Sequence, residues 1–172
     1  VTASTGGRDR LRTVMSELVT GICVVSTLVH GRPGEAEDAV VVNSFTSVSL
    51  DPPLVSLYLR QDSTFLNRLR RSGVWAASIL GSGTAEVAKA LSRPYGSRPP
   101  LAEVGAWHPG PETGCPVLDG SPATIECELY RCVELGDHVL VIGSVVGLDT
   151  TPAPPLVFHR GAYHAPFSDL PR

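Results

Sequence analysis

Lysine is almost missing from this 172-residue chain: thirteen arginines stand beside the single Lys89. Acidic residues outnumber basic ones, 17 to 14, giving a formal net charge of −3. With no Lys/Arg run either, the chain lacks the basic footprint that nucleic acid requires. The cluster Arg68, Arg70, Arg71 is read as the exposed side of a helix. No apolar run approaches the roughly 20 residues of a membrane-spanning helix, so no membrane partner is expected. The opening VTASTGGRDR has no apolar leader core, and a cytoplasmic location is the expectation.

Recognisable catalytic and metal patterns are equally scarce. Of four cysteines none forms a CxxC pair, and no His stands at zinc-finger spacing from them. Three lie in apolar, strand-like runs, where a thiol behaves as a small hydrophobe, so no metal site is expected. GxSxG, HExxH and P-loop patterns are absent. What is present is a composition of 42% hydrophobic and 18% charged residues, suited to one well-buried domain. The whole of 1–172 is read as that domain, with 1–7 and 165–172 as flexible tails.

Residues 8–20 read as an amphipathic helix, because Leu11, Val14, Met15, Leu18 and Val19 follow the i, i+3, i+4, i+7, i+8 spacing. Strands are expected at ICVVSTLV, at 39–50, at LVSLYL after a DPP turn, and at VWAASIL. Between the last two, a helix over 63–72 is capped by Asp62 or Ser63 and stopped by Gly73. Another helix covers 84–92, with Ser82 or Thr84 as its cap. Residues 94–122 hold seven of the fifteen prolines and read as a long irregular segment. In ATIECELYRCVEL, Ile125, Cys127, Leu129 and Val133 share one face, against Glu126, Glu128 and Tyr130. The short ELGD connection to HVLVIGSVVGL permits only an antiparallel pair, and PLVFHRGAY follows. Seven or so strands with three helices point to a mainly β fold, a closed antiparallel barrel with flanking helices.

One motif is deceptive. SILGSGTAEVAKAL runs strand, Gly-Ser-Gly, helix, with Glu103 about twenty residues on, like a dinucleotide fingerprint. Glu86 holds the third Gly/Ala position, where bulk and charge oppose close helix–strand packing, and no second parallel strand follows.

Two other places could hold a ligand. NSFTSVSLDPP sets Asn43, Ser44, Thr46, Ser47 and Ser49 between apolar runs. On an extended chain Asn43, Ser47 and Ser49 point one way and Ser44 and Thr46 the other. The stretch is either a solvated edge or the wall of a cleft rich in neutral donors, suited to a phosphate or a flavin pyrimidine edge. His138, delivered by Gly136-Asp137 to the start of an apolar strand, is either structural or a functional imidazole oriented by Asp137.

Taken in order, TGICVVST, NSFTSVSLDPPLVSL, the helix after DST, VWAASIL, PVLDGSPATIECEL, GDHVLVIGSV and PLVFHRGAY resemble the flavin reductase-like proteins. The resemblance spans about residues 8–164. It implies an antiparallel FMN-binding split β-barrel, a homodimer, and an NAD(P)H:flavin oxidoreductase. Such an enzyme moves hydride from NADH or NADPH to FAD or FMN and releases reduced flavin to a partner flavin-dependent monooxygenase. By the same resemblance Asn43, Ser44, Phe45, Thr46 and Ser47 would contact the flavin. Asp62, Ser63 and Thr64 would lie near its phosphate end at a helix N-terminus. Arg98 would clamp phosphate, although Pro99 stands where the family carries an aromatic residue. His138, beside Asp137, would position the nicotinamide, with Tyr163 and His159 near the same mouth. The chain departs from the family at Ala39, Val40, Val41 and Val42, which replace Gly-x-Thr-Ala and remove a hydroxyl before Asn43. Competing readings are a flavin-binding or electron-transfer module without nicotinamide turnover, and a non-enzymatic barrel that supports a partner protein.

Overall fold

The computed structural model describes residues 5–29 and 37–166. In chain order the elements are α1 (Thr5–Met15), β1 (Thr20–Gly21), β2 (Cys23–Leu28), β3 (Glu37–Val42), β4 (Thr46–Leu50) and β5 (Pro53–Arg60). There follow α2 (Thr64–Ser72), β6 (Val74–Ile79), α3 (Ala85–Leu91), β7 (Trp107–Pro109) and β8 (Pro116–Leu118). The chain closes with β9 (Ala123–Leu135), β10 (His138–Thr150), β11 (Val157–His159) and β12 (Ala162–His164).

Seven strands form one antiparallel sheet in the order β3-β2-β6-β9-β10-β5-β4. Its two ends, β3 and β4, are consecutive in the chain, and the three residues Asn43–Phe45 join them without a ladder. The barrel is therefore split at that point. β9 and β10 are long enough to bend around it, helped by register shifts at Ile142/Gly143 and Val145/Gly147. At the first shift the position must be glycine: a Cβ on Gly143 would overlap the Trp75 indole and lie 2.8 Å from Cys127 Cβ.

Every residue of β2 is buried, because its two faces serve two cores. Cys23 and Val25 point to the barrel interior with Leu57, Trp75, Val139 and Val141. Ile22, just before the strand, and Val24 pack the other way, against α3 and Leu156. Phe65, Leu66 and Leu69 carry one face of α2 into the interior core. Ser63, rather than Asp62, caps that helix, accepting from the Leu66 amide at 3.4 Å, and Gly73 ends it in the left-handed conformation at φ 74°. All four thiols are free. Burial pushes Cys23 and Cys127 up to about 12 and Cys115 to about 11.

Several sequence expectations need amendment. The segment 39–50 is two strands, not one. Residues 5–7 belong to α1, while the remainder of the expected N-terminal tail and 167–172 lie outside the described residues. Thr84 precedes α3, but its hydroxyl donates back to the Gly81 carbonyl at 2.8 Å instead of capping. The strand before the Gly-Ser-Gly turn, β6, has antiparallel neighbours on both sides, which a dinucleotide-binding unit forbids. Glu126, assigned to the polar side of β9, is only 4% exposed. The irregular segment folds over it, so that its carboxylate accepts from the Thr113 amide and hydroxyl, both at 2.7 Å, and from the Glu112 amide at 3.2 Å. Arg68 is likewise not on an exposed helix side. It reaches Asp38 on β3.

Candidate functional site

The break between β3 and β4 opens a cavity of about 520 Å³, within the size range of small-molecule sites. Its walls are the end of β3, the Asn43–Ser44 connection, the end of β5, the N-terminus of α2, the 94–98 loop and His138. Seven candidate residues thus line one space: Asn43, Ser44, Asp62, Ser63, Thr64, Arg98 and His138.

Ser44 holds the connection in place. Its hydroxyl accepts from the Tyr58 amide at 3.0 Å and approaches the Tyr58 carbonyl at 3.4 Å, which extends the β4–β5 register by a side chain. Its neighbour Asn43 is exposed at the cavity wall. The expected alternation of faces fails here, because 43–45 is not strand and a bulge lies between Ser47 and Ser49. Phe45 turns inward, edge-on to Trp75 with ring centroids 6.3 Å apart. Thr46 and Ser47 are exposed on β4 and do not line the cavity.

At the opposite wall, the amides of Thr64 and Phe65 begin α2, whose first-turn N–H groups have no intrahelical acceptor. Both residues border the cavity, which makes this an anion-favouring corner. Asp62 stands beside it but is engaged: Arg60 donates to both of its oxygens, at 2.9 and 2.8 Å. That fork, with a smaller contribution from His138, holds the Asp62 carboxyl below its ordinary range. His138 faces Arg60 in the β5–β10 register. Its Nδ1 lies 2.8 Å from Asp137 Oδ1, and this contact depresses the Asp137 carboxyl. Asp137 itself is not among the lining residues; it orients the imidazole from behind.

Arg98 is more constrained than a free phosphate clamp. Nε donates to the Arg93 carbonyl at 2.9 Å and Nη1 to the Ala39 carbonyl at 3.0 Å, with Asp38 Oδ1 at 3.5 Å. It fastens the 94–98 loop to β3. Asp38 also accepts from Arg68 Nη1 at 2.7 Å, and Arg68 in turn bonds and stacks on Tyr95, its guanidinium carbon 4.7 Å from the ring centroid. Burial works against the Arg68 charge, but Asp38 and Tyr95 outweigh it and raise the group.

His159 and Tyr163 lie elsewhere, on the β11–β12 pair. His159 borders a separate cavity with Val19 and His164, and Tyr163 packs on Phe158. Sequence reasoning missed Tyr58, Arg60, Tyr95 and the Arg68–Asp38 pair. A usable signal existed for the last: an acidic residue next to the apolar run AVVV demands a buried partner.

Residues 15–166 match the family described as "Flavin reductase like domain". A NADH-dependent FAD reductase of Streptomyces globisporus is 34% identical over 149 residues, 85% of this chain and 78% of that one. A NADH:FMN oxidoreductase of Rhodococcus qingshengii is 32% identical over 167 residues, 87% of this chain and 85% of that one. Among solved structures, the S. globisporus NADH:FAD oxidoreductase SgcE6, in complex with NAD and FAD fragments, superposes with a TM-score of 0.83 at 30% identity. That comparison covers 98% of this chain and 99% of the other. BorF, the flavin reductase component of a bacterial two-component tryptophan halogenase, gives a TM-score of 0.82 at 31% identity, covering 91% and 96%. On the family match and on relatives of this identity and coverage, the chain belongs to the flavin reductase-like family.

Proposed function

We propose that the chain is an NAD(P)H:flavin oxidoreductase, reducing FAD or FMN with NADH or NADPH and releasing the reduced flavin to a flavin-dependent monooxygenase. The observation that carries this reading is the cavity at the barrel split. It joins neutral donors at Asn43–Ser44, an anion-favouring helix start at Thr64–Phe65, and an oriented imidazole at His138. A flavin mononucleotide needs this set: hydrogen-bond donors for its ring, an amide corner for its phosphate, and open space above the ring for a second substrate. The hydride comes from the nicotinamide and is accepted by the flavin ring, so the protein need supply no nucleophile.

What the chain contributes is binding and alignment. Asn43 and the backbone of the 43–45 connection donate toward the ring edge, while Ser44 holds that connection rigid through Tyr58. Amides of Thr64 and Phe65 receive the phosphate, and Ser63 keeps the first turn of α2 in shape. His138, fixed by Asp137, steadies the nicotinamide over the ring. Ala39–Val42 replace the family's Gly-x-Thr-Ala, and Val40–Val42 line the cavity, so the ring keeps an apolar wall there and loses one hydroxyl contact. That exchange favours a flavin held weakly enough to leave.

The same reading includes a homodimer. Leu11, Val14, Met15, Leu18 and Val19, on and just after α1, are each more than half exposed in the single chain, an apolar stripe that a second copy would cover. Among the described residues no helix is long and apolar enough to cross a membrane. The test is a steady-state assay that crosses both flavins with both nicotinamides. Nicotinamide oxidation that depends on added flavin supports the proposal, whereas flavin binding without oxidation supports an electron-transfer module.

A further inference from the structure

Besides His138, the cavity at the barrel split has aromatic rings on its walls at Tyr58, Phe65 and Tyr95. Phe65 is buried and belongs to the interior core. Tyr95 is engaged, its hydroxyl bonded by Arg68 and its ring covered by the same guanidinium. Tyr58 differs from both. It stays 42% exposed although Leu57 and Leu59 on either side are buried, so its ring lies on the face of β5 turned away from the interior core. Among the described residues only the Tyr58 backbone is hydrogen-bonded by a side chain, that of Ser44, and its hydroxyl has no partner. No other ring and no cation packs on it there.

The topology explains why this ring is bare. Thr46–Ser56 is the last pair of the β4–β5 ladder at this end. Two residues further along β5 the Ser44 hydroxyl stands in for a strand at the Tyr58 backbone, which leaves the side chain uncovered at the split. On its other edge β5 pairs Tyr58 with Leu140 and Arg60 with His138, about 7 Å further along. Tyr58 thus stands between the Asn43–Ser44 connection and the imidazole.

We propose that the Tyr58 ring stacks on the isoalloxazine and grades flavin affinity by oxidation state, holding the oxidised ring and releasing its grip once the ring is reduced. The proposal rests on the flavin-reductase reading of the cavity. Oxidised isoalloxazine is planar and electron-poor, a good partner for the electron-rich face of a phenol. A hydride brings two electrons to that ring and makes its own face electron-rich, so the stacking weakens. The difference favours entry of oxidised substrate and departure of reduced product.

Anaerobic ultrafiltration without nicotinamide gives the Kd for oxidised and for dithionite-reduced FMN, and the wild type should bind the oxidised form more tightly. Tyr58→Leu should weaken oxidised FMN about tenfold, the order of one lost stacking contact, and reduced FMN less than about threefold. Tyr58→Phe should keep the wild-type preference for oxidised FMN, because the ring remains. Its bound FMN should nevertheless fluoresce more strongly, since the phenol that quenches excited flavin by reversible electron donation is gone. Equal weakening of both oxidation states in Tyr58→Leu overturns the proposal, as does an unchanged Kd for oxidised FMN. So do a wild type without preference, unchanged fluorescence in Tyr58→Phe, and a defect confined to the KM for NADH. A wild type that oxidises no nicotinamide with either flavin overturns the underlying function, which the binding ratios by themselves do not test. The exposed position of Tyr58 leaves the core of both variants intact, and their far-UV circular dichroism should match the wild type.

Discussion

Asp38→Asn probes the linkage that ties β3, α2 and the 94–98 loop around the site. The Asp38 side chain is only 8% exposed and faces Arg68 Nη1 at 2.7 Å and Arg98 Nη1 at 3.5 Å, whose side chains are 22% and 16% exposed. Removing the negative charge leaves two half-buried guanidiniums near each other with no counter-charge. Breaking a buried pair by deleting one partner costs roughly 3–5 kcal/mol. Partial access of water to both arginines places the expected loss at the lower end, about 3 kcal/mol. For a chain of this length that is a fall in Tm of about 6–12 °C. Urea denaturation at fixed protomer concentration, followed by far-UV circular dichroism, reads the free energy directly. Adding Arg98→Met to Asp38→Asn should recover part of the loss, since one uncompensated charge disappears. A loss below about 0.5 kcal/mol, the level of an ordinary surface change, would refute the idea that Asp38 is the shared anchor.

Three further expectations concern different links. His138→Ala should raise the KM for the nicotinamide about tenfold while moving flavin affinity less than threefold, the size of one or two lost hydrogen bonds; unchanged nicotinamide kinetics would remove His138 from the site. Gly143→Ala should cost about 3 kcal/mol in urea denaturation, because the added methyl meets Trp75 and Cys127 in a packed core; a neutral result would show that the bulge can shift at no cost. The Arg60 fork depresses the folded Asp62 carboxyl below its unfolded 3.8, so its stabilisation is present above that value and is lost as pH falls through the lower folded value. An NMR titration of Asp62 should have its midpoint below 3.8 in the wild type and return toward it in Arg60→Gln.

Local chemistry made much of the architecture legible. The DPP and ELGD turns, the β-branched runs and the Ser63–Gly73 helix frame all rest on interactions between near neighbours, and all appear where the pattern puts them. Features that depend on distant segments were not legible. The segment 39–50, with its polar stretch 43–49, reads as continuous strand because nothing in it says that β3 and β4 end on opposite edges of the sheet. Only the closed topology creates the split at Asn43–Phe45. Glu126 alternates with apolar residues as a solvent-facing position would, and it is buried because a Pro-rich segment from elsewhere folds over that face. Arg68 sits at an ordinary helix-surface position but finds Asp38 thirty residues away. Arg98 illustrates the limit of a resemblance: the residue type was located, yet its hydrogen bonds to Ala39 and Arg93 and its approach to Asp38 make it as much a loop fastener as a ligand group.

The most direct test of the central claim is an anaerobic mixing experiment in which NADH or NADPH meets the protein and a molar excess of FAD or FMN. The account predicts that the nicotinamide and flavin absorbance bands decay together, one nicotinamide oxidised per flavin reduced, at a rate proportional to protein concentration. Loss of neither band above the protein-free rate, with either flavin and either nicotinamide, would contradict it.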